Sequence, residues 1–194
     1  MTRIELVQVP CALCGSITFG SVASGRDHEF HTSDDVFCFV RCSHCGHLYM
    51  NPRPSPGQWD KIYPQNYSPF VDAKPSLASL GRERWEAKKV RLLRRILGKG
   101  PKRILDVGCG SGRFLSVLRR FGSPDWELAG SDLDQQAVAE CRKKGFEAYR
   151  ESIEDLSFGK GSLDAVILLQ VLEHVEDPVK TSEQVFSLLR SEGS

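Results

Sequence analysis

Two groups of residues in this 194-residue chain have the types and spacing of chemistry. The first is four cysteines: Cys11 and Cys14 in CALCG, then Cys42 and Cys45 in CSHCGH, with twenty-seven residues between the two C-x2-C pairs. A glycine follows each pair directly, Gly15 and Gly46, and permits a knuckle tight enough for backbone N–H groups to point at sulfur. Two such knuckles can set four thiolates tetrahedrally around one Zn2+. Four protein sulfurs close the coordination sphere, so the expected zinc is structural and holds a segment too small to build its own core. A redox pair is the competing reading, disfavoured because the pairs are matched and neither ends a βαβ strand. Cys38, His44 and His47 lie nearby but break the doublet spacing, and stand as alternative ligands only.

The second group is ILDVGCGSGRFL, residues 104–115. An apolar stretch, Ile104 to Val107, runs into Gly108, Cys109, Gly110 and Gly112, and a helical pattern with Phe114, Leu115, Leu118 and Phe121 on one side follows. A glycine loop between strand and helix brings backbone close to a small molecule, under the positive end of the helix. The spacing is G-x-G-x-G, which is neither the G-x-G-x-x-G of dinucleotide folds nor a triphosphate loop. Asp106, two residues before the first glycine, is badly placed beside a pyrophosphate and well placed beside a cation. Asp132 ends the next predicted strand, with Leu133 beside it, twenty residues beyond Gly112. A carboxylate there can accept from both hydroxyls of a ribose.

The elements that position these groups fall into three stretches. Residues 1–75 hold the cysteine pairs and a proline-broken, aromatic run with Trp59, Tyr63, Tyr67 and Phe70, read as a wrapped loop. Residues 76–101 contain a helix from about Ser76 to Leu97, with Val90, Leu93 and Leu97 at helical spacing and Leu92 and Ile96 beside them. Eleven basic residues and two acids, Glu83 and Glu86, lie between Lys74 and Arg103; this reads as a solvated face. Residues 102–194 alternate strand and helix: RILDVG, GRFLSVLRRF, WELAGSD, DQQAVAECRKKG capped by Asp134, FEAYRE, LDAVILLQVL, and DPVKTSEQVFSLLR capped by Asp177. Such alternation predicts an α/β, Rossmann-like parallel sheet of four strands in the order 3-2-1-4, behind a small zinc-ribbon domain. Cys109 and Cys141 are expected to pack.

Bulk properties narrow the function. Hydrophobic residues make up 40% and charged residues 26%, and the formal net charge is +1, which argues against a dedicated nucleic-acid binder. The sequence has neither an apolar run of membrane-spanning length nor a signal core, and seven cysteines suit a reducing compartment, so a cytoplasmic protein without membrane partner is expected.

The pieces ILDVGCGSGRFL, AGSDLDQQAVAECRKKG, SIEDLSF and LDAVILLQVLEHVEDP, in that order, resemble the class I S-adenosylmethionine-dependent methyltransferases over about 104–190. The resemblance implies that Asp106 and the backbone of Gly108 to Gly112 run along the methionine part of S-adenosyl-L-methionine. Asp132 would hold the ribose, Ser152 and Ile153 would border the adenine, and Gln170 would sit beside the amino-acid end. Many relatives carry an aspartate where Ser152 stands. The segment CSHCGHLYMNPRPSPGQWDKIYPQNY is similar to the zinc-ribbon leader that precedes methyltransferase domains in bacterial sugar-modifying and natural-product pathways, implying a small, sugar-linked acceptor. His174, just after the fourth strand, is the candidate general base, with Glu173 a weaker one; Tyr63, Tyr67 and Arg53 would border the acceptor. Relatives continue into further strands, so a C-terminally truncated enzyme with an open apolar edge at AVILLQVL is expected. A cofactor- or zinc-binding module without turnover is the alternative.

Overall fold

The computed structural model describes residues 3–28, 31–62 and 77–191. The chain divides into two units, Met1–Ser68 and Pro69–Ser194. Tyr63, Tyr67 and Phe70 of the expected wrapped loop lie outside the described residues.

In the first unit, β1 (Leu6–Val7) pairs antiparallel with a later strand, Arg53–Pro54 (β5). Between them β2 (Phe19–Gly25), β3 (Phe37–Cys42) and β4 (Leu48–Met50) form an antiparallel meander, and a single turn of helix, α1 (Trp59–Ile62), follows β5. The apolar interior is small. Among the described residues only Ile4, Cys11, Val40 and Cys42 are buried apolar side chains here, and Phe39, Leu48 and Ile17 face solvent. Buried Asn51 fastens the N-terminal segment: its Oδ1 accepts from Val9 N at 3.0 Å and its Nδ2 donates to Val9 O at 3.2 Å.

The second unit runs α2 (Leu77–Leu97), β6 (Lys102–Val107), α3 (Arg113–Phe121), β7 (Trp126–Ser131), α4 (Gln135–Lys143), β8 (Glu147–Tyr149), β9 (Ala165–Leu168) and α5 (Pro178–Leu188). Its sheet is wholly parallel in the order β8-β7-β6-β9, the 3-2-1-4 arrangement that the strand–helix alternation predicts. Strand β6 is central, and Leu105 pairs with Ala129 on one side and Val166 on the other. Side chains alternate across a strand, so neighbouring Ile104 and Leu105 feed opposite faces. Ile104 packs with Val90 of α2, Leu115 and Leu118 of α3, and Val138 and Cys141 of α4. Leu105 packs with Val107, Ala129, Ile153, Leu156, Leu163 and Leu188 of α5. Helix starts follow the sequence signals. Asp134 accepts from Ala137 N at 2.7 Å, and Asp177 Oδ1 accepts from Val179 N and Lys180 N at 3.1 and 3.0 Å with Pro178 in the first turn.

Two elements differ from expectation. At 100° per residue, the buried side of α2 passes through Glu86, Val90, Leu93 and Leu97, which leaves Leu92 and Ile96 on the far side, 55% and 68% exposed. Regular pairing of β9 stops at Leu168, short of the predicted LDAVILLQVL, and the chain turns at Gln170 through a left-handed conformation, φ 59°. Among the described residues β9 ends the sheet. At its base Leu163 forms an isolated parallel bridge with Leu189: Leu163 N donates to Leu188 O at 3.0 Å and Arg190 N to Leu163 O at 2.8 Å. None of the described helices is long and apolar enough to cross a membrane.

Candidate functional site

The glycine loop joins β6 to α3 at the carboxyl edge of the sheet, where open parallel sheets receive ligands. Its path requires glycine at Gly112, where φ is 75° and an added Cβ would lie 2.7 Å from Cys141 Sγ and 3.3 Å from the Phe146 ring. At Gly108 a Cβ would come within 2.4 Å of Val171. Part of the motif therefore serves the close approach of the protein to itself. Cys109 and Cys141 are buried with sulfurs 4.0 Å apart and belong to the core around Ile104, as their expected packing role requires.

Asp106 is almost fully buried, and among the described residues no donor reaches its carboxylate. Burial pushes its carboxyl up to about 8; the neighbouring Cys141 and Asp132 push the same way, and the Arg113 guanidinium acts in the opposite direction. Asp132, one residue past β7, is bound into the loop: Oδ2 accepts from Gly110 N at 2.9 Å and Oδ1 from Asp134 N at 2.9 Å. An ionised carboxylate has about four lone-pair sites, so each oxygen retains one for a further donor. The loop thus brings Asp106, Gly108, Cys109, Gly110, Gly112 and Asp132 together.

The remaining predicted residues are placed less uniformly. Leu133 follows Asp132 and is exposed. Ser152 Oγ lies 2.7 Å from Asp155 Oδ2 in an exposed turn, whereas Ile153 is buried beneath the sheet with Leu105. Gln170 is exposed beyond β9, and His174 sits in the exposed turn before α5, its N–H donating to Val171 O at 2.8 Å. Glu173 shares that turn and is also exposed, and Arg53 lies in β5 of the other unit. One pair escapes the motifs: Glu86 of α2, 5% exposed, binds Arg113 end-on, with Nη1···Oε2 2.6 Å and Nη2···Oε1 2.7 Å.

In the first unit the sulfurs of Cys11, Cys14, Cys42 and Cys45 all lie within 4.8 Å of one another. Cys11 approaches Cys45 at 3.6 Å and Cys14 approaches Cys42 at 3.5 Å. Zn–S bonds of about 2.3 Å in a tetrahedron need sulfurs roughly 3.8 Å apart, so the donor set fits. The knuckles share one geometry: Gly15 N donates to Cys11 O at 2.8 Å and Gly46 N to Cys42 O at 3.0 Å, with φ of 72° and 78°. The backbone N–H groups of Cys45 and His44 pull Cys42 down to about 6. At Cys14 the Ser16 N–H also lowers the thiol, but desolvation and the adjoining sulfurs outweigh it and push it up to about 12. Cys38, His44 and His47 are not part of the sulfur cluster, and His47 stacks on Tyr49 with ring centroids 5.5 Å apart.

A parallel sheet carrying a glycine loop and two acids at its carboxyl edge is a Rossmann-like arrangement. Residues 105–194 match the family model described as a methyltransferase domain. The ubiquinone biosynthesis O-methyltransferase of Xanthomonas campestris pv. campestris is 36% identical over 99 residues, covering 47% of this chain and 40% of the relative. That of Xanthomonas oryzae pv. oryzae is 37% identical over 98 residues, covering 47% and 40%. The chain thus spans less than half the length of these relatives. Two solved structures share the fold. An S-adenosyl-L-methionine-dependent methyltransferase structure from Methanococcus maripaludis has a TM-score of 0.50 at 12% identity, over 55% of this chain and 51% of that one. The plantazolicin methyltransferase BpumL, in complex with a monoazolic desmethylPZN analog and SAH, has a TM-score of 0.50 at 23% identity, over 58% and 44%. Residues 105–194 are thus similar to a methyltransferase domain and share the Rossmann-like fold of these structures.

Proposed function

We propose that the second unit binds S-adenosylmethionine and supports transfer of its methyl group to a hydroxyl oxygen of a small molecule, and that the first unit is a zinc ribbon. The observation that carries the cofactor reading is buried Asp106, which no donor among the described residues reaches, beside a loop that Asp132 ties down. Asp106 would meet the positive charge of the amino-acid end, Asp132 would take the ribose hydroxyls with its remaining lone pairs, and the backbone of Gly108, Cys109, Gly110 and Gly112 would line the sulfonium between them. Leu133 covers the adenine. The hydroxyl of Ser152 is engaged with Asp155, so the adenine edge is met by the backbone of Ser152 and Ile153. Gln170 contributes through its backbone carbonyl. The bound sulfonium supplies an already activated methyl group, so the protein's task is orientation, which contributes roughly 7–11 kcal/mol in favourable cases. His174 accepts the proton of the acceptor hydroxyl. The relatives' name supports an oxygen acceptor, and the likeness of the leader to sugar-pathway ribbons supports a sugar-linked one.

Cys11, Cys14, Cys42 and Cys45 hold one Zn2+ that orders the first unit and takes no part in methyl transfer. A second reading, a cofactor-binding module without turnover, draws on the exposure of His174.

Isothermal titration with S-adenosylhomocysteine decides the central point. Wild type is expected to give a saturable heat at one site, and Asp132→Ala to weaken it at least tenfold. A wild type without heat rejects cofactor binding. Binding without methyl transfer to any hydroxyl acceptor selects the second reading.

A further inference from the structure

We propose that the outward face of α2 docks on an anionic membrane surface, with Trp85, Leu92 and Ile96 entering the interface and the flanking cations meeting acidic lipid headgroups. This face takes no part in the cofactor reading.

Helix α2 has two sides of different character. The inner side packs Val90, Leu93 and Leu97 against the core around Ile104. Trp85, Leu92 and Ile96 stand at i, i+7 and i+11, which brings them within about 40° of one another around the axis. Their row is turned roughly 110° from the centre of the buried one. Trp85 is 57% exposed, and Leu92 and Ile96 are open in the same way. Single exposed apolar residues are ordinary, but three in one row on a helix mark a contact surface.

Charge says what kind of contact. The helix holds seven basic residues and two acids, a net charge of +5, in a chain whose net charge is +1; the remaining residues therefore sum to −4. Positive charge is thus gathered on one element. Both acids are engaged on the inner side, Glu86 with Arg113 and Glu83 with Arg120, each a residue of α3. Arg84, Lys88 and Arg95 are exposed along one flank of the apolar row. Lys89 borders the other, its Nζ 3.8 Å from the centre of the Trp85 ring. The basic stretch that reads as a solvated face in the sequence therefore has an apolar centre.

An anionic bilayer answers both features. Acidic headgroups attract the cations, whose stems can lie along the apolar boundary while the charged ends reach phosphate. A tryptophan ring sits well at headgroup depth. The helix would lie in the plane of the surface, and it is not apolar enough to cross. A nucleic acid would answer the cations and leave Leu92 and Ile96 in water. A second copy of the same face would set cations against cations.

The test is co-sedimentation of the full chain with phosphatidylcholine vesicles, with and without about 40% phosphatidylglycerol. Binding to the anionic vesicles is expected to be at least about tenfold tighter than to the neutral ones, and to weaken in about 0.5 M salt. Leu92→Ser/Ile96→Ser and Arg84→Gln/Lys88→Gln/Arg95→Gln change exposed side chains only, and circular dichroism checks their fold. Each variant is expected to lose about tenfold or more on anionic vesicles. Wild type that binds neither vesicle, or binds both equally, overturns the proposal. So does vesicle binding that neither variant weakens. A duplex oligonucleotide bound more tightly than the anionic vesicles, with the loss confined to the charge variant, assigns the face to nucleic acid instead. A dimer in sedimentation velocity that Leu92→Ser/Ile96→Ser abolishes, without vesicle binding, assigns the apolar row to a second copy and also overturns it.

Discussion

The two units solve the problem of holding a shape in opposite ways. In the first, β2 is exposed along nearly its whole length, and among the described residues two of the four buried apolar ones are cysteines of the sulfur cluster. In the second, the alternate residues of β6 fill two apolar clusters, one on each face of the sheet. A segment that buries little must be fastened at a point, whereas a layered sheet is held over an area. The glycines follow this division. In the knuckles an added Cβ would meet nothing within 4 Å at Gly15 or Gly46, so those residues are required by backbone conformation alone. At Gly112 both conformation and close packing demand glycine.

The sharpest way to break this comparison is to remove the fastening. Cys42→Ser, or exhaustive chelation, is expected to unfold the first unit, since structural zinc contributes on the order of 10 kcal/mol. Metal content and limited proteolysis measure this, and the parallel sheet should keep its own cooperative transition. If both units melt together on zinc loss, the division is wrong. The converse experiment is Leu105→Ala, in the most buried row of β6. A cost of about 2–5 kcal/mol in denaturant unfolding of the second unit is expected, with zinc stoichiometry unchanged.

A smaller effect concerns charge. The carboxyl of Asp106 is raised from 3.8 to about 8 in the folded chain, so between these values the folded state keeps a proton that the unfolded chain has lost. The stability of the ligand-free second unit should therefore fall as pH rises from about 4 through 8, by on the order of a few kcal/mol, then level off. Asp106→Asn should remove that slope. Because a cationic tail favours the ionised acid, the affinity for S-adenosylhomocysteine should rise with pH below 8 by up to about tenfold per unit, and Asp106→Asn should flatten this rise. An unchanged slope in the variant would show that another group titrates. The smallest expected effect is at Gln170, where a non-glycine residue is held at φ 59°. Gln170→Gly should stabilise the second unit by about 1 kcal/mol, read from thermal unfolding, and leave the first unit untouched.

Features written locally were legible in the sequence. The caps Asp134 and Asp177, the strand order and the glycine loop each depend on neighbours within a few residues or on alternation, and the fold carries them as the pattern implies. The two cysteine doublets were also legible, because each forms its own knuckle. What the sequence hid depends on distance or on context. Glu86 reads as one acid in a basic helix, and its partner Arg113 stands twenty-seven residues away with nothing local to announce the pairing. The side of α2 that carries Leu92 and Ile96 could not be separated from its buried side by apolar residues alone, because a buried glutamate occupies part of the inner stripe. Glutamine is not a residue that signals left-handed backbone, so β9 looked longer than it is.

The seam between Leu163 and Leu189 has a kinetic corollary. The amide of Arg190 is secured to Leu163 O, and that of Leu163 to Leu188 O, while the Arg190 guanidinium lies 3.1 Å from Asp164. Deuterium can therefore enter at those two amides only when the end of α5 peels from the foot of β9. Their exchange rates, followed side by side, report how often that helix undocks while the rest of the sheet stays shut.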